Sequence, residues 1–191
     1  SWDRLFDDEV ALSPAYSYSG KNGEEWSAMT RGYFMTRLGA TKVVLDWVES
    51  QEHAEVTTLA VQEAKQAGNF IDLELEDLPK LSARIWQFLN HCVSGDARRT
   101  FRGADQLNGF EAWRLLVIEF RKGSWYRKEA LRRACKSVPP IAKLEDIPAA
   151  IAQYDQRVKD YEAVTVKGNI DDDERTSDLL QALPESIRES F

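Results

Sequence analysis

Residues 107–120 read LNGFEAWRLLVIEF, and this stretch predicts the helix around which the chain folds. Asn108 is a favourable N-cap residue, and the side chain of Glu111, three positions later, can reach back to the backbone N–H of the cap. Gly123 is a candidate end of the helix. One face is apolar along its whole length, with side chains at i, i+3, i+4 and i+7: Trp113, Leu116, Val117 and Phe120. Such a face must be covered, and we expect neighbouring helices to cover it.

Helical patterns flank this stretch on both sides and run through most of the chain. Apolar residues recur at helical spacing, and glycines, prolines and capping residues separate the segments. The sequence therefore predicts an all-α fold of about eight to ten short helices. Residues 70–75 partly alternate apolar and polar side chains, so a short strand is an alternative there.

The pattern divides into three parts. We expect an N-terminal arm at residues 1–22, a first lobe at 23–122 and a second, smaller lobe at 123–191. Gly123 and Ser124 are the candidate hinge between the lobes. The aromatic side chains of the arm are expected to pack either on the chain's own body or on a neighbouring subunit.

Composition limits the class of protein. The chain has 43% hydrophobic and 30% charged residues, enough for a packed core. No run approaches the roughly 20 apolar residues of a membrane span, and no signal-peptide pattern opens the sequence. Cys92 and Cys135 lie on the apolar faces of separate predicted helices, which favours buried free thiols and a reducing compartment.

The charge is unevenly distributed along the chain. The net charge of −7 argues against nucleic-acid binding by the whole surface. Residues 97–136 nevertheless carry eleven Lys or Arg and four Asp or Glu, a net charge of +7, which leaves −14 for the rest. This basic segment is either a surface that faces RNA or a set of solvated helix faces with local ion pairs. The candidate RNA-facing residues are Arg98, Arg99, Arg102, Arg121, Lys122, Arg127, Lys128, Arg132, Arg133 and Lys136.

Motifs for catalysis or metal binding are missing from the sequence. It contains no phosphate loop, dinucleotide fingerprint, nucleophile elbow or C-x-x-C pair. His53 and His91 are expected to make contacts at helix ends. The acidic run at residues 171–174 is expected to begin a helix rather than to bind calcium. The sequence predicts no catalytic, metal or cofactor site, and we expect no enzymatic activity.

Five motifs, in order along residues 18–190, resemble the capsid region of Gag polyproteins from LTR retrotransposons, most closely the copia type. These motifs are YSGKNGEEW (18–26), SGDARRTF (94–101), EAWRLL (111–116) followed by Phe120, RKEALRR (127–133) and LLQALPES (179–186). A gypsy-type or host-domesticated Gag is an alternative. The core and motif positions that follow from the patterns and the resemblance are Trp26, Trp86, Trp113, Leu116, Phe120, Leu131, Leu179, Leu183 and Pro184.

The resemblance implies a two-lobed helical capsid subunit that assembles into hexamers and pentamers around element RNA. It implies a cytoplasmic location, within virus-like particles, and no membrane partner. The zinc knuckle of Gag is absent from this chain, so strong RNA binding is expected from regions outside it. The family's second lobe commonly continues past the LPES segment, so we expect it to extend beyond Phe191.

Two other functions fit the same sequence. The first is a domesticated Gag-derived adaptor that binds a protein or peptide without forming particles, in a groove around Trp26, Tyr33 and Trp47. The second is an RNA-binding module that uses the basic segment at residues 97–136, whose binding would weaken steeply with salt.

Overall fold

A computed structural model describes residues 1–165 and 170–189, and the prediction about the chain beyond Phe191 lies outside this range. The all-α prediction with eight to ten helices is confirmed for the described residues. They form ten α-helices: α1 (Asp8–Leu12), α2 (Gly23–Arg37), α3 (Thr41–Ser50), α4 (Thr58–Gln66), α5 (Asp77–Cys92), α6 (Gly95–Phe101), α7 (Gly109–Lys136), α8 (Ile147–Glu162), α9 (Asp172–Leu180) and α10 (Glu185–Arg188).

The chain divides into two compact units, Ser1–Lys122 and Gly123–Phe191. Residues 1–22 belong to the first unit rather than forming a separate arm. Phe6 is buried against the rings of Phe34 and Phe88, and α1 packs on α5. Tyr18 stacks on the indole of Trp26, with ring centroids 4.2 Å apart. The aromatic residues of this segment therefore pack on their own unit.

The core of the first unit is built around the first half of α7. Trp113 is fully buried, and its ring lies against those of Trp26 and Phe34. Leu116 and Val117 are also buried, and Phe120 packs at the edge of the same cluster. The apolar stripe of residues 113–120 thus faces inward, because fully burying one large apolar side chain stabilises the fold by roughly 1.5–3 kcal/mol.

A glycine allows α7 to approach α5 closely. A Cβ atom at Gly109 would overlap the carbonyl oxygen of Ser82 and the amide nitrogen of Trp86. The backbone of the first turn of α7 therefore rests on the backbone of α5, which no larger residue would permit. The amide of Phe110 donates to the Ser82 hydroxyl at 3.3 Å and fixes the crossing.

The second unit has a smaller core. Cys135, Tyr154, Val158 and Ile170 are buried together, with Leu179 packed against them. The expected N-cap at the acidic run is present, since the Asp171 carboxylate accepts from the amide of Glu174 at 2.8 Å.

Residues 70–75 form turns rather than the alternative strand. Phe70 has a positive φ of 59°, which extended backbone does not have, and its ring packs edge-on against Trp47. Among the described residues, β-type pairing is limited to an isolated parallel bridge between Tyr18 and Val93.

The prediction that α7 ends at Gly123 is wrong. The helix continues to Lys136 and includes both Gly123 and Ser124, so the candidate hinge lies within a continuous helix. Gly123 also lacks the positive φ of a helix-terminating glycine. Residues 127–136 consist mainly of Arg, Lys, Glu, Ala and Leu, whose helix propensity outweighs the roughly 1 kcal/mol that one interior glycine costs.

Candidate interaction surfaces

A buried ionic network fixes the start of α7. The Asn108 side chain accepts from the amide of Glu111 at 3.2 Å, so it caps the helix as the sequence predicts. The predicted return bond is absent, because the Glu111 carboxylate accepts instead from the amide of Val56 at 2.8 Å and from Arg114 Nε at 2.7 Å. This hydrogen bonding to Glu111 raises the pKa of the Arg114 guanidinium. A carboxylate that the sequence assigns to a local cap therefore holds a distant loop.

The same network shapes the wall of a groove. Asn108 Nδ2 donates to the carbonyl oxygen of Val56 at 2.9 Å, and Arg114 donates to the carbonyl oxygen of Gln51 at 3.2 Å. The loop that precedes α4 is thereby attached to the start of α7 at both Gln51 and Val56. A wall held in this way is already ordered before a ligand arrives, which lowers the entropy that binding must offset.

The groove has a volume of about 630 Å³ and lies between α4, the start of α5 and the loop before α7. Its floor is apolar and buried, formed by Val61, Leu78 and Phe110. We call it the leucine groove, after the three exposed leucines that line its mouth: Leu59, Leu75 and Leu107. Its volume falls in the range of about 300–1,000 Å³ typical of sites that bury a ligand.

Leu107 is held in a strained conformation at this mouth. Its φ is +64°, and its side chain is 50% exposed. A left-handed conformation costs a residue with a Cβ about 1–2 kcal/mol. Burial does not offset this cost, since half of the side chain remains in water. Strain of this kind concentrates at binding sites, and here it directs an apolar side chain into the opening of the groove.

The groove predicted around Trp26, Tyr33 and Trp47 is wrong. Trp26 is buried in the core, and its indole N–H donates to the carbonyl oxygen of Tyr16 at 2.9 Å. Tyr33 stacks on Phe88, and Trp47 packs against Phe70. The three side chains are therefore taken up by contacts within the first unit: Trp26 with the segment before α2, Tyr33 with α5 and Trp47 with the turn after α4.

The ten candidate RNA-facing residues separate into structural and exposed side chains. Arg98 bonds to the carbonyl and side-chain oxygens of Asn90 and stacks over Phe101. Arg132 donates to the Asp178 carboxylate at 3.0 Å. These two arginines serve packing. The others lie on the surface, fully or in part: Arg99, Arg102, Arg121, Lys122, Arg127, Lys128, Arg133 and Lys136.

Two of these surface residues are already neutralised in part. Arg99 pairs with Asp96 at 2.8 Å, and Arg121 lies 3.9 Å from a Glu49 carboxylate oxygen. Neither Arg127 nor Lys128 forms an ion pair with any other described residue. Local ion pairs of Glu129 with Arg132 or Arg133, which helical spacing would allow, do not form either, since Arg132 turns to Asp178 and, at 3.9 Å, to Glu174.

The second half of α7 carries two exposed aromatic residues. Trp125 is 58% exposed and Tyr126 is 66% exposed, with their rings edge-on at 5.2 Å. We call Trp125, Tyr126, Arg127 and Lys128 the aromatic–basic patch. Large aromatic side chains that remain in water are candidates for a binding surface, because covering them gains much of the energy of an interface.

The remaining motif residues differ in how far their side chains are buried. Trp86 and Phe120 are partly buried against the first core, and Leu131, Leu183 and Pro184 have intermediate exposure in the second unit. Ala182, one position before Leu183, is the buried member of the LLQALPES segment, and its carbonyl oxygen accepts from the amide of Ile141 at 2.8 Å.

The second unit contains a buried polar network whose role is structural. Asp178 accepts from the Tyr154 hydroxyl at 2.7 Å as well as from Arg132. Burial raises the pKa of Tyr154, and the bond to Asp178 raises it further. The Tyr154 hydroxyl and the Arg132 guanidinium both donate to Asp178 Oδ2, and bonds of this kind in the interior stabilise the core.

Neither cysteine is available for chemistry in this fold. Cys92 and Cys135 are free and buried. Burial raises the pKa of the Cys92 thiol to about 12 and raises that of Cys135, so both stay protonated and unreactive at neutral pH. His53 is exposed, and His91 faces Asp8 at 3.6 Å. Within residues 1–165 and 170–189, no cluster of three His, Cys, Asp or Glu side chains could hold a metal ion.

None of the helices described here has the length and apolar character that crossing a bilayer would require. Comparison of the chain with models of protein families, with curated proteins and with solved structures finds no match.

The leucine groove is the surface that the sequence did not predict. Its three mouth leucines are far apart in sequence, and each stands outside a strong apolar stripe. The available signal was local: Leu107 precedes the N-cap residue Asn108 and lies outside the apolar stripe of that helix, and Leu59 lies on a weakly apolar helix.

Proposed function

We propose that this chain is a self-assembling structural subunit of a shell, of the kind formed by the capsid region of LTR-retrotransposon Gag proteins. The observation that carries the proposal is the arrangement of the five Gag-like motifs over two compact helical units. EAWRLL supplies the buried stripe of the first unit, and LLQALPES contributes to the second. A protein with this arrangement would enclose element RNA in cytoplasmic particles, and regions outside this chain would supply most of the RNA contacts.

The exposed apolar surfaces support assembly. A shell needs repeated contacts that are weak singly and strong together, because multivalency multiplies modest affinities. Closed rings require a heterologous contact, in which two different surfaces of the subunit meet. The leucine groove and the aromatic–basic patch are two such different surfaces on one chain.

The direct test is the assembly state of the purified chain. We expect its weight-average mass in sedimentation velocity to rise with protein concentration, and negative-stain microscopy to show particles or tubes in some range of salt. A mass that stays at 21.8 kDa at high concentration under every condition would contradict the proposal.

A second candidate function is favoured by the leucine groove alone. An adaptor derived from Gag could hold a partner peptide there and form no particles. The distinguishing result would be a stable one-to-one complex with a defined partner, together with a monomeric mass for the free chain at every concentration.

The junction at Gly123 gives a prediction about particle size. Gly123 lies within α7, and a Cβ atom there would meet no other atom within 4 Å. Gly123→Ala should therefore stabilise this part of the helix by about 0.5–1 kcal/mol. If bending at this junction lets one chain fit different curvatures, the variant should assemble into particles with a narrower or shifted distribution of diameters.

The matched control is Gly32→Ala, since Gly32 is also helical with open space around it but lies within the first unit. This substitution should leave particle diameters unchanged in microscopy. Equal diameters for Gly123→Ala and the unaltered chain would remove the hinge role from Gly123.

A further inference from the structure

We propose that the leucine groove of one copy binds the aromatic–basic patch of a second copy. This inference rests on the proposed function, because it names the contact through which subunits would associate. It commits to one occupant of the groove: the exposed turn of α7 that carries Trp125, Tyr126, Arg127 and Lys128.

The groove offers apolar area to an incoming side chain. Leu59 is 62% exposed, and Leu75 and Leu107 are exposed beside it. Behind them, Val61, Leu78 and Phe110 form a buried apolar floor. An aromatic side chain that entered would remove leucine surface on all sides from water, which is the environment in which interface anchors bind most strongly.

The patch offers side chains suited to such a groove. Trp125 and Tyr126 expose most of their ring surface, and they have few rotatable bonds to immobilise on binding. They lie on a regular helix, so the two rings are presented from a fixed backbone. Trp and Tyr are the side chains most enriched among residues that dominate binding energy.

The charges of the two surfaces are complementary. Glu55 and Asp105 line the groove, and none of the described residues that line it is basic. Residues 52–77, which supply part of its walls, carry seven Asp or Glu and one Lys, a net charge of −6. Residues 121–136 carry seven Lys or Arg and one Glu, a net charge of +6, and this is still +4 when Arg121 and Arg132, which pair with acidic residues elsewhere, are set aside. Opposite potentials of this size favour docking of these surfaces over contact between two grooves or two patches.

The contact is heterologous, so each copy keeps one groove and one patch free after the first pairing. Association therefore continues beyond the dimer, into rings or open chains. A single pair of surfaces on each subunit is sufficient to produce a concentration-dependent series of oligomers.

The first experiment measures self-association of purified full chains by sedimentation velocity over a range of concentrations. The groove variant is Leu59→Lys, and the patch variant combines Trp125→Ser with Tyr126→Ser. All three side chains are largely exposed, so folding should be preserved. Each variant should weaken association at least about tenfold, as expected when an anchoring residue is lost. Raising ionic strength from about 0.1 M to about 1 M, which shortens the Debye length from about 10 Å to about 3 Å, should also weaken association of the unaltered chain.

Two control variants alter exposed apolar residues outside both surfaces. Ile71→Lys is the control for the groove, and Leu144→Ser is the control for the patch. Both should associate like the unaltered chain. If the controls lose association to the same degree as the groove and patch variants, a general change in surface charge or hydropathy is the cause, and the proposed contact is refuted.

A mixing experiment tests the polarity of the contact. An equimolar mixture of the groove variant and the patch variant contains intact patches on one chain and intact grooves on the other. The mixture should form a two-chain species that neither variant forms alone, and it should stop there because the second pair of surfaces is defective. A mixture in which each variant behaves as it does alone would overturn the proposal.

The remaining outcomes separate the proposal from its premise. If the unaltered chain associates and both variants associate equally well, the contact lies elsewhere and the self-assembly function stands. If the unaltered chain is monomeric at every concentration, both the proposed contact and the self-assembly function are refuted. If the patch variant loses binding to a fluorescent single-stranded RNA while its self-association is unchanged, the patch binds nucleic acid and not the groove.

Discussion

Glu111→Ala is expected to lower the free energy of unfolding of the first unit by about 3–5 kcal/mol, the range for breaking one partner of a buried ion pair. The side chains of Glu111 and Arg114 are 3% and 9% exposed, so the guanidinium would remain in the interior without its carboxylate. The amide of Val56 would lose its acceptor at the same time. Chemical denaturation followed by tryptophan fluorescence measures the change, since five of the six tryptophans lie in residues 1–122.

A second pair of variants separates charge burial from packing. Glu111→Met combined with Arg114→Met removes both charges and keeps much of the volume, so it should destabilise the unit less than Glu111→Ala does. Asp96→Ala breaks an exposed pair with Arg99 and should change stability by no more than about 1 kcal/mol. A loss below about 1 kcal/mol for Glu111→Ala would show that water replaces the carboxylate at this site.

Glu111→Ala should also affect the leucine groove. Glu111 and Asn108 attach the loop at Val56, so their loss should loosen one wall without removing any side chain that lines the mouth. If the groove is the docking site, Glu111→Ala should weaken self-association under conditions where the unit is still folded.

Gly109→Ala is expected to destabilise the first unit by about 3 kcal/mol, at the upper end of the range for overpacking. The added Cβ would overlap two backbone atoms of α5, at Ser82 and Trp86, and backbone cannot rotate away as a flexible side chain can. The two helices would have to separate, and the contact of Phe110 with Ser82 would open. Chemical denaturation measures the effect.

Gly32→Ala is the matched control for this prediction. Both glycines are helical, but nothing lies near the Cβ position of Gly32, so alanine there should stabilise the protein by about 0.5–1 kcal/mol. Opposite signs for the two substitutions would locate the effect in the contact between α7 and α5. Equal signs would contradict the close approach of the two helices.

Some properties of this protein could be predicted from residue spacing because they depend on near neighbours in the chain. The helical character of residues 107–120 follows from the i, i+3, i+4 recurrence of Trp113, Leu116, Val117 and Phe120, and the same four side chains lie toward the core. The cap at Asn108 is likewise local. The free thiols of Cys92 and Cys135 follow from their positions on apolar helix faces, where a buried sulfur has no partner to oxidise with.

Local rules failed where two effects of similar size competed. At Gly123 the sequence contained both signals: the free-energy cost of a glycine within a helix was smaller than the gain from the high helix propensity of the residues that follow, so the helix continued. Asn22 precedes α2 and is of a residue type favoured at N-caps, but its φ of +56° turns it away from capping geometry, and its side chain accepts no cap bond.

The sequence alone determined that the chain is helical, which faces are apolar, and that charge is segregated along its length, because these properties are encoded within a few turns. Only the tertiary structure decided that Glu111 binds Val56, 55 residues away, that the patch aromatics Trp125 and Tyr126 remain in water, and that three separate leucines meet at one groove. Those facts depend on which segments become neighbours, and neighbours in space are set by the packing of the whole unit rather than by any single stretch.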